Sequence, residues 1–191
     1  GYNALSGDPM LNGSFVVGQR FFNEALGLVV SSSYYDHRLG SHNTEGLWQQ
    51  SKKGDIYPYI WDVREYDIRR LRRSFSTGMD YRVNDDHRFF INFMTNHRDD
   101  WENRVRLRYY LEKPKDGISE ETEIRRQTKG GPNGDRFNNA RLEDQRTNNI
   151  RFKGKHNTDV MQIEWTFSHG RAWERRPRER YISWAVKDVP V

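Results

Sequence analysis

The sequence predicts an all-β protein, an antiparallel meander of about six strands with one apolar and one polar face. Three observations predict it. Apolar residues recur at period 2 through several runs, the strand period. Short clusters rich in Asn, Asp and Thr separate those runs. The composition of the 191 residues is 34% hydrophobic and 31% charged with 14% aromatic residues, too polar for an ordinary internal core and too aromatic for a disordered chain.

The N-terminal element runs through Phe15-Val16-Val17, turns near Phe22-Asn23-Glu24, and returns through Leu28, Val30, Ser32 and Tyr34. Residues 37–61 read as a long polar connection. The segment 62–73 is arginine-rich and fits either an amphipathic helix or an extension of the strand that follows. Its direct continuation into a clean strand favours the extension. In that strand Phe75, Thr77, Met79, Tyr81 and Val83 share one face, and Ser74, Ser76, Gly78, Asp80 and Arg82 the other. Asn84-Asp85-Asp86 supplies a short turn. Phe89, Ile91, Phe93 and Thr95 then alternate with Arg88, Phe90, Asn92 and Met94. A second polar connection covers residues 112–139. Ile150 and Phe152 alternate with Arg151 and Lys153, His156-Asn157-Thr158 reads as a turn, and Met161, Ile163, Trp165 and Phe167 form the last apolar face.

Short turns near residues 23, 85 and 157 at one end, and long connections at the other, are the layout of a meander that crosses a bilayer. The apolar faces suit the roughly 9–11 residues that a tilted membrane strand needs. No apolar run reaches the about 18 residues of a membrane helix. A mean hydropathy of −1.06 fits a strand architecture in which only one face is apolar.

The chemistry of the usual enzyme classes has little to build on. The chain has no cysteine, so disulfides and thiolate sites are excluded. His37, His42, His87, His97, His156 and His169 form no His-x-x-x-His pair. His37 and His42 share one expected loop, but loop histidines are more often solvated than ligating. Gly130-Gly131-Pro132-Asn133-Gly134 lacks the Lys-Ser/Thr of a phosphate loop and reads as a loop tip. Asp85-Asp86, Asp99-Asp100 and Glu120-Glu121 are adjacent pairs, and on a strand adjacent side chains point apart. Asn12-Gly13-Ser14 matches a glycosylation sequon, but it reads more simply as the lead into the Phe15 strand. No catalytic residue, metal or cofactor is assigned.

Charge opens a second reading. The chain carries 32 Lys+Arg against 27 Asp+Glu, with a pI near 9.4. Basic residues interleaved with aromatics suit single-stranded nucleic acid. Close mixing of acid with base, as in Asp62-Arg64-Glu65-Asp67-Arg69, favours ion-pair ladders across strands instead. No nucleic-acid partner is therefore expected, although a basic single-strand binder stays as an alternative, as does a non-transporting outer-membrane barrel.

Several stretches resemble one family. Asn12-Gly13-Ser14-Phe15-Val16-Val17-Gly18-Gln19-Arg20-Phe21, followed by Leu28-Val29-Val30-Ser31-Ser32-Ser33-Tyr34-Tyr35-Asp36, resembles the early barrel strands of TonB-dependent outer-membrane receptors. Tyr66-Asp67-Ile68-Arg69-Arg70-Leu71-Arg72-Arg73-Ser74 with Asp80-Tyr81-Arg82-Val83-Asn84-Asp85 is similar to the same barrel. So are Asn96-His97-Arg98-Asp99-Asp100-Trp101-Glu102-Asn103-Arg104, Ala140-Arg141-Leu142-Glu143-Asp144-Gln145 and Glu174-Arg175-Arg176-Pro177-Arg178-Glu179-Arg180-Tyr181-Ile182-Ser183. These are barrel patterns and not catalytic signatures.

The resemblance implies a barrel of about 22 strands around a plugged lumen in the outer membrane of a Gram-negative bacterium. These 191 residues would form one sector of it, with the plug domain and the remaining strands elsewhere in a longer chain. It implies uptake of a scarce, bulky solute such as an iron chelate, a corrinoid or a glycan. The expected partners are that solute, outer-membrane lipid and the TonB energy-transduction system acting through the plug. Phe75, Met79, Tyr81, Val83, Phe89, Ile91, Phe93, Met161, Ile163, Trp165 and Phe167 would face lipid. Tyr34, Tyr81, Phe89 and Trp101 would serve the interfacial girdles. Ser76, Asp80, Arg82, Arg88, Asn92, Arg151, Lys153, Gln162 and Glu164 would face the lumen. Of these, Asp80, Arg82, Arg88, Arg151, Lys153 and Glu164 are the candidate plug or solute contacts. On the first long loop, His37, His42, Trp48, Tyr57, Tyr59 and Trp61 are the candidate solute contacts.

Overall fold

A computed structural model describes residues 1–111, 121–130, 140–177 and 179–190. The described chain is all-β and antiparallel, without a helix. A small hairpin, β1 (Tyr2–Asn3) and β2 (Asp8–Pro9), precedes one large sheet. That sheet holds β3 (Leu11–Phe21), β4 (Leu26–Gln50), β5 (Ile56–Arg82), β6 (His87–Leu111), β7 (Glu121–Lys129), β8 (Arg141–Asn157), β9 (Gln162–Arg175) and β10 (Tyr181–Pro190). Each of β3 to β6 pairs with the next in sequence. Glycine and asparagine at element ends and period-2 side chains within them give the chain this up-and-down path.

On the far edge of β6 two strands lie end to end. β8 pairs with His87–Glu102 of β6, and β7 with Arg104–Leu111. Lys129 opposes Arg104 and Arg141 opposes Glu102, so β7 and β8 are two pieces of one strand position, parted by residues 130–140. β9 lies on β8 and β10 on β7 in the same way. The sheet is therefore six positions wide, in agreement with the meander that the periodicity predicts. The Glu102 carboxylate spans the break, taking Lys129 at 3.1 Å and Arg141 at 3.0 Å.

The tight turns fall where turn chemistry asks for them, with one adjustment. Phe22, Asn23 and Glu24 all adopt positive φ between β3 and β4. Asn84 Oδ1 accepts from the Asp86 and His87 amides, an Asx turn between β5 and β6. Val83 belongs to this turn and not to the strand that precedes it. The third turn lies at 158–161, beyond the predicted His156-Asn157-Thr158. His156 and Asn157 still pair with β9, and Thr158 closes the turn on Met161.

The polar connection expected over 37–61 is mostly strand. β4 runs on to Gln50 and β5 begins at Ile56, with a short turn at 51–55 closed by Ser51 and by Gly54 at φ 97°. The backbone of this extension is satisfied by its ladder, so its polarity reflects water on both faces and not the lack of a strand. The segment 62–73 is strand throughout, as the extension reading has it. In the connection expected over 112–139, Glu121–Lys129 is strand β7. The loop-tip reading of Gly131 to Gly134 and the residues 112–120 lie outside the described residues.

The register assigns the faces. One face carries the rows Phe21–Leu26–Tyr81–Phe89–Gly154–Trp165, Gln19–Leu28–Met79–Ile91–Phe152–Phe167 and Val17–Val30–Thr77–Phe93–Ile150–His169. Gln19, Thr77 and His169 are the polar interruptions. The opposite face carries Gly27–Asp80–Phe90–Lys153–Thr166 and Val29–Gly78–Asn92–Arg151–Ser168, small or polar at most positions. Among the described residues the buried hydrophobic side chains are Ile60 and Ala140 alone, while Asp62, Asp99, Asp100, Asn103, Thr128 and Arg141 are buried. The apolar residues lie outside, and the ion pairs lie within the sheet's own side-chain layer. Both outer edges of the sheet are open among the described residues, and no closed barrel is seen.

Beyond Leu11, where β3 begins, the N-terminal hairpin covers the bare edge of β4. Asn3 Oδ1 accepts from the Gly40 amide, and Ser6 Oγ donates to the Arg38 carbonyl. A Cβ on Gly40 would stand 2.7 Å from that of Leu5, so this close approach requires glycine.

Candidate functional site

Two regions of the polar face gather charged groups. The first lies beside the tight turns. Asp80, Arg82, Arg88, Arg151, Lys153 and Glu164 all share one face, in the adjoining rows Arg82–Arg88–Lys155–Glu164, Asp80–Phe90–Lys153 and Gly78–Asn92–Arg151. The predicted lumen set is thus brought together. Arg20 reaches Asp80 at 3.3 Å and donates to the Glu24 carbonyl at 3.0 Å. Arg20, Glu24, Asp80, Arg82 and Arg88 line one small polar hollow. Glu164 pairs with Lys153 and Lys155. A depression of about 590 Å³ lies next to it, lined by the apolar Val29, Phe90 and Met94 as well as by Asp80, Asn92 and Arg151.

The second region lies on the same face of the extension, beyond residues 36 and 73. Asp62 is its centre and is 1% exposed. Arg108 holds it with two bonds of 2.7 Å, Arg64 with one of 2.6 Å, and Arg106 stands at 3.5 Å. Burial pushes the Asp62 carboxyl up, but the Arg108 and Arg64 hydrogen bonds win and hold it down at about 2. The Asp62 bond raises the Arg108 pKa in turn. Glu45 pairs with Arg64, and Glu123 with Arg125.

The six aromatic and histidine candidates do not form one site. They lie on β4 and β5 and not on a loop, because the hairpin is strand up to its tip. His37 is on the polar face beside Arg70 and bonds Asn12 at 2.8 Å, with the Tyr35 ring stacked on it at 3.6 Å. Burial and the positive charge of the N-terminus hold its pKa below the ordinary value. His42 opposes Glu65 on the other face. Trp48 and Trp61 do meet, edge to face at 6.4 Å, near the tip. Tyr57 donates to Gln49 at 3.2 Å, and Tyr59 is the unpaired residue of a bulge between Leu47 and Trp48. His37 and Trp48 stand roughly 35 Å apart along β4 at the usual rise of a strand. Trp101 is also displaced from the expected girdle. It lies in the extension under the Arg69 guanidinium, and Trp173 shares the row of Tyr34 in its stead.

One cluster escapes sequence reading. His97, Asp99 and Asp144 place a ligating atom each within 4.8 Å. Arg73 donates to His97 Nδ1 at 2.9 Å, so that nitrogen accepts and Nε2–H donates to Asp99 and Asp144, each at 3.0 Å. Arg73 also pairs with Asp99, and Arg146 with Asp144. The carboxylates are already neutralised, so the donor set suits an ion-pair network better than a cation. The His-x-Asp spacing was visible on β6, but Asp144 comes from β8. Asp100 points to the opposite face, toward Arg70 and Arg98, as the adjacent-pair argument requires.

Compared with known protein families and with curated proteins, the sequence matches neither a family model nor a curated relative.

Proposed function

We propose that this sheet is a sector of a transmembrane β-barrel, and that the protein is a TonB-dependent receptor in the outer membrane of a Gram-negative bacterium. The observation that carries the reading is the two-faced register. Three successive rows across six strand positions are apolar on one face and small or polar on the other, with almost no apolar side chain buried. In water such a face is a liability; in lipid it is the required surface. From Ile163 to Trp173 the strand holds enough residues to cross about 25 Å of apolar band at the usual tilt. Aromatic residues stand at both ends of that band: Tyr81, Phe89 and Trp165 near the turns, Tyr34 and Trp173 near the extension.

In this reading the open edges pair with further barrel strands and the polar face lines a lumen filled by a plug. The protein does no covalent chemistry. It binds a scarce, bulky solute outside, an iron chelate, a corrinoid or a glycan, and releases it inward when the energy-transduction system moves the plug. Asp80, Arg82 and Arg88 then face the plug.

Single cysteines introduced into the cysteine-free chain test the register. Probes on Met79→Cys and Ile91→Cys are expected to be quenched by nitroxide lipids. Probes on Asn92→Cys and Arg151→Cys are expected to respond to a water-soluble quencher only. The reverse pattern would sink the barrel sector. Absence of labelled-solute uptake even with the energy-transduction complex present would point to the non-transporting barrel instead.

A further inference from the structure

Arginines oppose arginines on the polar face of the extension. Arg72 faces Arg98, Arg64 faces Arg106, and Arg108 faces Arg125. Like charges directly opposite each other destabilise a sheet. Among the described residues, local carboxylates do not remove the excess. Around Asp62, the five guanidiniums of Arg64, Arg104, Arg106, Arg108 and Arg125 share Asp62, Glu45 and Glu123. Glu102 is taken by Lys129 and Arg141. The Nε atoms of Arg64, Arg104 and Arg106 are buried without a hydrogen-bond partner among the described residues. Burial first, and then Arg108, pushes the Arg106 guanidinium's pKa down against the pull of Asp62, whereas Asp62 raises those of Arg64 and Arg108. Arg82 faces Arg88 near the tight turns in the same way, but the arginines around Asp62 differ in gathering on one buried carboxylate, with the Arg64, Arg106 and Arg108 side chains only 16–18% exposed.

We propose that this arginine grid recognises a solute carrying closely spaced oxyanion groups, carboxylates or phosphates, whose charge completes the ion-pair lattice. Guanidinium forks match oxyanions in plane and in bond count, and Asp62 fixes three of them in orientation. That the ligand is a small solute and not a polymer rests on the receptor reading, in which this face is the outer wall of the lumen. The structure thereby narrows the solute classes: a neutral glycan leaves the grid unpaired, whereas an anionic chelate satisfies it.

The test is calorimetric titration of the protein in detergent with pyrophosphate and with tricarballylate, and with maltotriose as the neutral control. Both anions are expected to bind, more weakly as salt rises, and maltotriose not at all. Arg106→Gln and Arg104→Gln are each expected to lower anion affinity about tenfold. Arg106→Lys is expected to lose less, because charge remains without the fork. Arg126→Gln, on the opposite face over Trp184, is expected to change nothing. Folding of each variant is checked by heat-dependent gel mobility. Anion binding that ignores Arg104 and Arg106 in folded variants would overturn the grid while leaving the barrel intact. Tighter, cooperative binding of a single-stranded oligonucleotide than of pyrophosphate would overturn the solute assignment. Lipid-side quenching from position 79 reports separately on the receptor reading.

Discussion

The lower and upper halves of β4, β5 and β6 share one backbone ladder and differ in everything attached to it. Near the tight turns, one face is apolar and exposed, and the other is small or polar. Above residues 36 and 73 both faces are charged. Asp36–Arg69, Arg73–Asp99 and Asp144–Arg146 lie on one, and Asp62 with its arginines lies on the other. Cross-strand ion pairs replace apolar rows where water reaches both sides. The comparison separates the two ways a single-layer sheet is held. One half depends on its solvent, and the other depends on its own charges.

The largest expected effect is in the upper half. Asp62→Ala leaves three arginines facing one another around a vacancy, and breaking a buried pair in this way costs about 3–5 kcal/mol. Amide exchange should accelerate in residues 60–64 and 104–110 and stay slow in 75–81 and 89–95. Equal acceleration in both halves would mean that they unfold as one unit. Acid should imitate the substitution. Asp62 is held below its ordinary value of 3.8, at about 2, so its contribution is whole above about 4 and is lost as pH falls toward 2. The amides of the extension should lose protection over that window.

Next comes the lower half. Met79→Arg puts a cation in the middle apolar row, where lipid exposure costs about 2–4 kcal/mol. Gly78→Arg, one residue along, points to the polar face beside Asn92 and should cost less. Denaturant titration in lipid vesicles gives both numbers. Comparable losses would show that lipid does not cover the Met79 face.

A smaller effect is expected at Gly154. A Cβ there would stand 2.4 Å from the Trp165 ring, which lies across the strand and donates to His156 at 2.9 Å. Gly154→Ala must push that ring away, an overpacking that costs about 1–3 kcal/mol. Tryptophan emission should shift as the ring leaves its place between Phe89 and His156.

The same contrast explains what the sequence could reveal. Phe75 to Arg82 and Phe89 to Asn96 are legible because hydropathy alternates along them. Residues 38–50 hide their strand because both faces are polar and hydropathy loses its period, and 56–61 hide theirs because apolar and aromatic residues fall on both faces around Pro58. The period survives in charge, in Arg104-x-Arg106-x-Arg108 and in Asp62-x-Arg64, which places those side chains on one face. That signal was open to reading. The break between β7 and β8 was not, because β6 alone makes them collinear. Nor was the meeting of Asp144 with His97, which depends on register between strands far apart in sequence. The lumen set converged because it was chosen by parity, whereas the loop set dispersed because it was chosen by residue type.

The smallest expected effect bears on what covers the polar face near the turns. Arg20 and Asp80 pair at 3.3 Å with side chains 52% and 26% exposed. A pair that open to water contributes about 0–1 kcal/mol, so Asp80→Asn should barely alter stability of the sheet. In the receptor reading the same pair faces the plug, where neighbours exclude water and every charge weighs more. Asp80→Asn should then leave denaturant midpoints within experimental error yet change how the plug is held, read as faster proteolysis of the plug in intact vesicles. A loss of several kcal/mol from the barrel itself would instead place Asp80 in a dry, closed environment that the open sheet does not have. No change in either measurement would detach the turn-end cluster from the plug and leave the arginine grid of the extension as the only charged site with a ligand to explain.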